Sequence, residues 1–507
     1  MGASAGERFD FVIVGAGSSG GVLAARLSAG GTRSVLVLEA GPDFPDEADR
    51  LPLFAVSGEH HWSVSGLPEF DWGFQDRDVA GRRGGRPIRL PRGKLMGGSS
   101  MVNSTIAARP APFDLDGWAA AGAEGWSFAE MLPFLVRLET DRDFGLEPLH
   151  GAAGPIVIQR YKETGWAPVN RVFAEACAAL GIRHAPDLNG LTGSADCFGP
   201  MPHNRFKEVR QGTLVTYLRS ARPRPNLTLR AGCLVDRVLV DKGRAAGVRY
   251  RDPLGQLREV AAGRVILSAG VYNTPAILQR SGIGPEGLLR RLGIPVVADL
   301  PVGRHLTDHP GVAVLFHAEQ GLGRMTGRLF AANWRGEARN GPEPWWQTHP
   351  FPVDEEEGVC GLWTYLCRQH SRGRVEITSD DPTVPPLIDH DYLADPRDLA
   401  QFADAWEHNR ALLATEPFRR AGAAWLQPDL DLRQHLLDNL APAHHQSGTC
   451  RMARDPKDGV VDTGLRVQGV DGLLVCDSSA FPDTVMHNTN IACYMLGEAL
   501  AERINRP

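Results

Sequence analysis

An α/β architecture with a Rossmann-like unit at its N-terminus is predicted by three features of the segment Phe11–Gly41. The first is the apolar run Phe11-Val12-Ile13-Val14, which reads as a strand buried on both faces. The second is Gly15-Ala16-Gly17-Ser18-Ser19-Gly20, followed at once by the helical pattern Val22, Leu23, Ala25 and Leu27. The third is a second strand, Ser34–Leu38, that ends on Glu39 and Ala40. Gly15 permits the tight turn, Gly17 lets the backbone approach a pyrophosphate, and Gly20 lets helix and strand pack closely. The helix start, with Ser18 and Ser19, offers free N–H groups to the anion. Glu39 stands where a carboxylate accepts hydrogen bonds from ribose hydroxyls and repels a 2′-phosphate, which argues against NADP. The motif alone does not separate FAD from NAD.

The chain has 507 residues, enough for one large domain or two intertwined ones. Its charged content is 22% and its net charge −6, so nothing points to nucleic acid. The 57 glycines and 37 prolines come without repeats or low-complexity runs, which predicts many turns and long ordered loops. Eight cysteines form no CxxC pair and several sit in apolar runs, so buried free thiols are expected and no metal site is. Met1–Arg8 lacks the apolar core of a signal peptide, and Gly6 stands where myristoylation wants Ser or Thr. No apolar stretch reaches the length of an integral membrane segment, and the cytoplasm is the expected location.

From Arg82 to Lys94 the sequence is basic (Arg82, Arg83, Arg86, Arg89, Arg92, Lys94), and most of these side chains read as a solvated loop. The end of the run differs. Arg92, Met96, Gly97, Gly98, Ser99 and Asn103 place small residues beside hydroxyls and an amide. Such a loop can lie flat against a planar ligand and its phosphates.

From here the chain resembles the glucose–methanol–choline (GMC) flavoprotein oxidoreductases. The family's first signature matches from Gly93 through Asn103 to Pro110 and Asp116, and its second from Gly270 to Gly284, with Val271 in place of a small residue. Further matching elements are Leu300–His309, Ser371–Val375, His445–Thr449 and Asp477 through Asn488. The resemblance covers nearly the whole chain and implies FAD. It also implies interleaved domains: a Rossmann-like FAD-binding domain over 1–160, 211–310 and 441–507, and an α+β substrate-binding domain over 161–210 and 311–440 built on an antiparallel sheet. Strands are expected at 226–229, 233–240 and 265–267, within 358–367 and over 374–378, with a helix at Ala492–Ile504. The passage Gly336–Val353 has no clear period. It reads either as a lid or channel wall or as a long surface loop.

The implied reaction is oxidation of an alcohol to a carbonyl by hydride transfer to flavin N5. His445 takes the family's catalytic-histidine position and Asn488 the paired one. A neutral imidazole can accept the hydroxyl proton near neutral pH, and a fixed amide N–H can orient the alcohol. His444 and His487 are candidate substrate contacts. Neighbours on an extended backbone face opposite ways, so His444 and His445 are not expected to share a role. His60, His61 and His309 read as structural or supporting residues. Asp477, Ser478, Thr489, Ala269 and Val235 are implied cofactor contacts. Some relatives attach FAD through a histidine just before the loop asparagine, and Val102 cannot form that bond, so noncovalent FAD is expected.

The substrate is a small-molecule alcohol. A sugar, glycoside or polyol suits the aromatic residues around Trp334–Trp346, and the electron acceptor is oxygen or a quinone or dye. A mycofactocin-linked or other alcohol dehydrogenase not using oxygen is an alternative. From another class, so is a hydroxynitrile lyase-like flavoprotein that binds FAD without redox turnover. Oligomeric state is not legible.

Overall fold

The structure, a computed structural model, describes residues 7–45, 67–191, 196–207, 209–319, 321–324, 332–337, 344–427 and 429–506. His60 and His61 lie outside the described residues.

The apolar run at the N-terminus forms the strand Arg8–Val14, whose Phe11–Val14 segment is buried. It lies between Val35–Leu38 on one side and Leu257–Leu267 on the other, parallel to both. Leu227–Arg230 and Leu473–Val475 extend the parallel sheet at its two ends. The long strand Leu257–Leu267 also pairs antiparallel with Arg244–Arg251, which pairs with Leu234–Asp241. Helix Ser18–Leu27 covers this sheet and crosses the C-terminal helix Thr489–Asn505 closely. Gly497 sets that approach, because a Cβ there would sit 2.9 Å from the Val22 Cβ. Arg26 and the buried Glu498 pair across the same crossing at 2.8 Å.

A second sheet of eight strands is almost entirely antiparallel. Its centre is Pro310–His317, Val359–Leu366, Pro344–Asp354 and Ala332–Glu337. The passage from 336 to 353 is not a surface loop: all of it among the described residues lies in two strands of this sheet, His349 and Phe351 within it form part of a cavity wall, and residues 338–343 between the strands lie outside the description. Prolines at 344, 350 and 352 hid the strand from a sequence reading, since proline removes a ladder donor. Along Val359–Leu366 the even positions Cys360, Leu362 and Leu366 join a core that contains Phe173 and Phe402 of the flanking helices. Trp334 and Trp346 belong to the same core, with rings 4.7 Å apart. They present no face to a sugar. The odd positions Trp363 and Tyr365 face the other way, into a cavity.

A small sheet joins Arg374–Glu376 and Leu387–Asp389 to Phe74–Asp76 and Ile88–Leu90, tying the middle of the chain to its N-terminal part. The expected strands at 226–229, 233–240, 358–367 and 374–378 appear within one or two residues at each end, whereas the one expected at 265–267 is the end of a strand that begins at Leu257. The C-terminal helix starts at Thr489, three residues before the apolar pattern that revealed it. Among the described residues no helix is long and apolar enough to cross a membrane.

Candidate active site

One cavity of about 660 Å³ runs between the two sheets. The ends of parallel strands form one part of its wall. Gly15 turns the chain at φ +94°, and a Cβ there would meet the Ser268 carbonyl oxygen at 2.4 Å, so only glycine fits. Gly17 and Gly98 face each other: a Cβ on Gly98 would come within 2.8 Å of the Gly17 Cα. The two glycine loops therefore meet as bare backbone. Helix Ser18–Leu27 has no side-chain cap and no acidic residue in its first turn, and the same holds for helix Thr489–Asn505. Both helix N-termini reach the cavity with unsatisfied N–H groups, which is the donor set that a pyrophosphate and an electron-rich ring require.

Glu39 is buried and accepts from the N–H groups of Ala16 (3.0 Å) and Gly41 (2.9 Å). Burial raises its carboxyl above the usual range. It thus holds the glycine loop as well as lining the cavity. Asp477 is similar: its carboxylate accepts from Gly270 N–H, Thr274 Oγ1 and Ser479 N–H, so it fixes the start of helix Gly270–Arg280.

The structure brings Gly15, Gly17, Ser18, Ser19, Glu39, Ala40, Arg92, Gly98, Ser99, Val102, Asn103, Val235, Ala269, Asp477, Ser478, Asn488 and Thr489 to this cavity. Gly20, Met96 and Gly97 do not line it. Gly20 packs against Gly15, where a Cβ would lie 2.0 Å from the carbonyl oxygen. Met96 is fully buried in the core, and Gly97 donates its N–H to Ala16 O at 3.1 Å. All three shape the loops from behind.

At the far end of the cavity stand His445 and Asn488. Asn488 Nδ2 lies 2.8 Å from His445 Nε2. His445 Nδ1 lies 2.9 Å from His309 Nδ1, and His309 Nε2 lies 3.3 Å from Thr484 Oγ1. With the Asn488 amide as donor, His445 Nε2 carries the lone pair and Nδ1 the proton. His309 then accepts at Nδ1 and carries its own proton on Nε2, facing Thr484. Burial, then the neighbouring His309, His444 and Arg92, holds the His445 imidazolium well below the usual histidine range, so the ring is neutral. Burial likewise pushes His309 down to about 3. Asp308 Oδ1 accepts the backbone N–H of both histidines, at 2.7 and 2.8 Å.

His444 also lines the cavity. Its backbone adopts φ +66°, in the left-handed region, so the two neighbours do not alternate as they would on an extended strand. Its carbonyl accepts from Arg92 at 3.1 Å. His487 does not reach the cavity. Its ring is buried against the second sheet, where Nδ1 lies 2.7 Å from Gln347 Nε2. Adjacent to Asn488 in sequence, it is turned away as the chain enters the C-terminal helix.

The same cavity is lined by Ile106, Ala313, His349, Phe351, Trp363 and Tyr365, with the Tyr365 ring centred 5.9 Å from that of His445. His349 and Phe351 come from the passage Gly336–Val353, for which a channel wall is one of the readings the sequence offers; the sequence reading does not include Ile106, Ala313, Trp363 or Tyr365. The trace of this wall is the period of two in Gly361-Trp363-Tyr365 and Gln347-His349-Phe351. Gly361 makes room for a ring, since a Cβ there would sit 2.4 Å from Phe351. Among the described residues the charged ones lining the cavity are Glu39, Arg280 and Asp477, on the first sheet and the elements that follow its strands, and Arg92, just past the small-sheet strand Ile88–Leu90; none belongs to the second sheet.

Two family models match the chain, the N-terminal GMC oxidoreductase model over residues 9–311 and the C-terminal one over 369–497. The oxygen-dependent choline dehydrogenase of Pseudomonas entomophila (strain L48) is 34% identical, with 98% of this chain and 94% of that protein aligned. The 5-(hydroxymethyl)furfural oxidase of Methylovorus sp. (strain MP688) is 34% identical over 98% of both chains. Among solved structures, pyridoxine 4-oxidase from Mesorbium loti superposes with a TM-score of 0.90 at 28% identity, covering 98% of this chain and 99% of that one.

Proposed function

This chain belongs to the GMC oxidoreductase family, an FAD-dependent enzyme family that oxidises alcohols, and we propose that its substrate is an uncharged, planar aromatic or heteroaromatic primary alcohol. The observation that carries this reading is the wall that shares the cavity with His445 and Asn488. It is built of Phe351, Trp363, Tyr365 and a histidine, His349, that burial holds neutral, with Ala313 and Ile106 between them. It contains no carboxylate to hold a cation and few donors for a polyol, whereas aromatic rings favour flat apolar partners. The names of two similar proteins, 5-(hydroxymethyl)furfural oxidase and pyridoxine 4-oxidase, agree with such a substrate.

When bound, FAD supplies the electron acceptor for the carbinol hydride. The rest falls to the chain. His445 Nε2 is the base: a hydroxyl entering between it and Asn488 gives its proton to the ring nitrogen. The Asn488 amide donates to the same oxygen and stabilises the developing alkoxide. His309 accepts from His445 Nδ1–H and so fixes the tautomer that leaves Nε2 open. The aromatic wall keeps water from the reacting carbon.

Noncovalent attachment of FAD follows in this reading from Val102, a side chain without a nucleophile, at the cavity wall. The same reading assigns 1–160, 211–310 and 441–507 to FAD binding and 161–210 with 311–440 to substrate binding. The eight cysteines are free and buried, which suits a reducing compartment such as the cytoplasm.

The test is an anaerobic absorbance scan of FAD-loaded protein with benzyl and furfuryl alcohols, choline, glucose and glycerol, followed by admission of air. Bleaching by the aromatic alcohols alone supports the proposal. Recovery of colour in air names oxygen as acceptor, and recovery only with a quinone names a dehydrogenase. Bleaching by choline or glucose in preference to the aromatic alcohols overturns the substrate class. Cleavage of an aromatic cyanohydrin without any bleaching would move the protein to the lyases.

A further inference from the structure

Behind the loop that carries Asn103, a short hairpin pairs Arg205–Phe206 with Val209–Arg210. Both arginines turn onto the segment 103–105. Arg205 donates to Thr105 Oγ1 and to the Ser104 carbonyl. Arg210 Nη1 donates to the Asn103 carbonyl and, at 3.3 Å, to Asn103 Oδ1. Asn103 Oδ1 also accepts the Thr105 N–H at 3.0 Å. Thr105 sits at φ +61°, a left-handed conformation that costs a β-branched residue strain.

Two consequences follow. The first concerns the amide. Both partners of Asn103 Oδ1 are donors that cannot accept, so the amide cannot flip without setting N–H against N–H. The oxygen end is pinned to the hairpin side, and Nδ2 is the end left for the cavity that Asn103 lines. The second concerns charge. Arg210 is 0% exposed, and its Nε and Nη2 have no hydrogen-bond partner among the described residues. No carboxylate among them pairs with it, unlike the buried Arg83 and Arg109, which meet Asp76 and Glu139. Burial and the neighbouring Arg205 lower its pKa to about 9, so it stays protonated at neutral pH. A neutral amide could hold the same two oxygens without the cost of an unpaired buried charge. The charge is the part that a purely structural tie leaves unexplained.

We propose that Arg210 is a positioning residue for the cofactor: it aims the Asn103 amide into the FAD cavity and holds an unneutralised positive charge behind it, favouring the reduced, more electron-rich form of the bound ring. The segment Val102–Ile106 lines the same cavity as His445 and Asn488, which places this charge behind the redox end of the site. The inference rests on FAD filling that cavity.

The test compares wild type, Arg210→Met, Arg210→Lys and Asn103→Leu, each as FAD-loaded full-length protein. Two quantities are read: FAD content from absorbance, and the equilibrium of the bound cofactor with a redox dye of known potential. R210M should retain FAD and shift the dye equilibrium at least tenfold toward the oxidised cofactor. R210K, which keeps the charge, should stay within threefold of wild type. N103L, which leaves the hairpin intact, should shift in the same direction as R210M by a smaller factor. An R210M protein with full FAD and a dye equilibrium within twofold of wild type overturns the proposal. Should R210M not accumulate, N103L decides: an unchanged equilibrium there removes the oriented amide and with it the proposed role. Wild-type protein that neither retains nor takes up FAD would instead sink the cofactor assignment itself.

Discussion

His309 Nδ1 and His445 Nδ1 lie 2.9 Å apart, and the backbone N–H groups of both residues donate to the same oxygen of Asp308. Only one proton fits between two imidazole nitrogens at that distance. The pair therefore holds at most one positive charge: one ring donates to the other, and protonation of both rings would disrupt it. Asp308 is itself held by Tyr392 at 2.9 Å and Gln446 at 2.6 Å, so the two rings cannot drift independently.

This arrangement predicts a pH profile. With His445 in its proposed role as base, activity requires the deprotonated ring, and burial keeps His445 deprotonated well below the usual histidine range. The rate should therefore be flat from about pH 6.5 upward to about 9, on the ordinary reference value for histidine. His309→Asn removes the ring that fixes the tautomer. It should lower kcat by about tenfold while leaving KM for the alcohol within about twofold, a split characteristic of orientation rather than binding. Steady-state kinetics across pH check both statements.

The same burial predicts acid sensitivity of the fold. His309 has a folded pKa of about 3, below its unfolded value, so between those two values the unfolded chain binds more protons. Stability must then fall as pH drops below about 6.5 toward 3. Thermal denaturation should show this slope in wild type and a shallower one in His309→Asn.

A second titrating group works in the opposite direction, far from the cavity. His150 lies 2.9 Å from Glu139 and 2.9 Å from Asp187, with Asp141 at 3.3 Å. Burial opposes its charge, but hydrogen bonds to Asp141, Asp187 and Glu139 outweigh it and raise the pKa to about 10. Glu139, Asp141 and His150 stand close enough to suggest a metal, yet a protonated imidazole cannot ligate one, and Arg109 and Arg160 already engage the carboxylates. The stability from His150 is complete below its unfolded pKa and is lost as pH rises toward 10. His150→Gln should lower the melting temperature at pH 6 and make it less dependent on pH between 7 and 10, readable by calorimetry.

The aromatic wall predicts selective loss. Trp363→Ala removes ring contacts of the kind that contribute about 0.5–1.5 kcal/mol beyond burial, so kcat/KM for an aromatic alcohol should fall by about 2- to 13-fold from those contacts, and further from the lost burial. For a small aliphatic alcohol that never reaches the ring, the change should stay within about twofold. A panel of kcat/KM values separates the two.

Much of this molecule is legible in its sequence, and the limits have physical causes. The nucleotide-binding end is local: strand, glycine turn, helix and acid lie between Phe11 and Glu39. His445 and Asn488 were identified by motif, and the fold brings them within hydrogen-bond distance. What escaped is what only long-range pairing creates. His309 meets His445 across 136 positions of sequence. Trp363, Tyr365, His349 and Phe351 become one wall only when two strands pair in register, with His349 opposite Trp363. Prolines masked one of those strands. The tryptophans at 334 and 346 looked available for a ligand because nothing local announces a core on the far side of a sheet. His487 shows the converse: adjacency to Asn488 suggested a shared cavity, and a turn of the backbone sends its ring elsewhere.

The most direct test of the central claim is the rate of flavin bleaching by benzyl alcohol in a stopped-flow experiment, comparing wild type with His445→Ala at equal FAD content. Rapid bleaching is expected in wild type and a rate lower by about 10²–10⁴-fold in the variant, the usual worth of a positioned general base. Equal rates in the two proteins would contradict it, and so would a wild-type protein, fully loaded with FAD, that aromatic alcohols leave yellow.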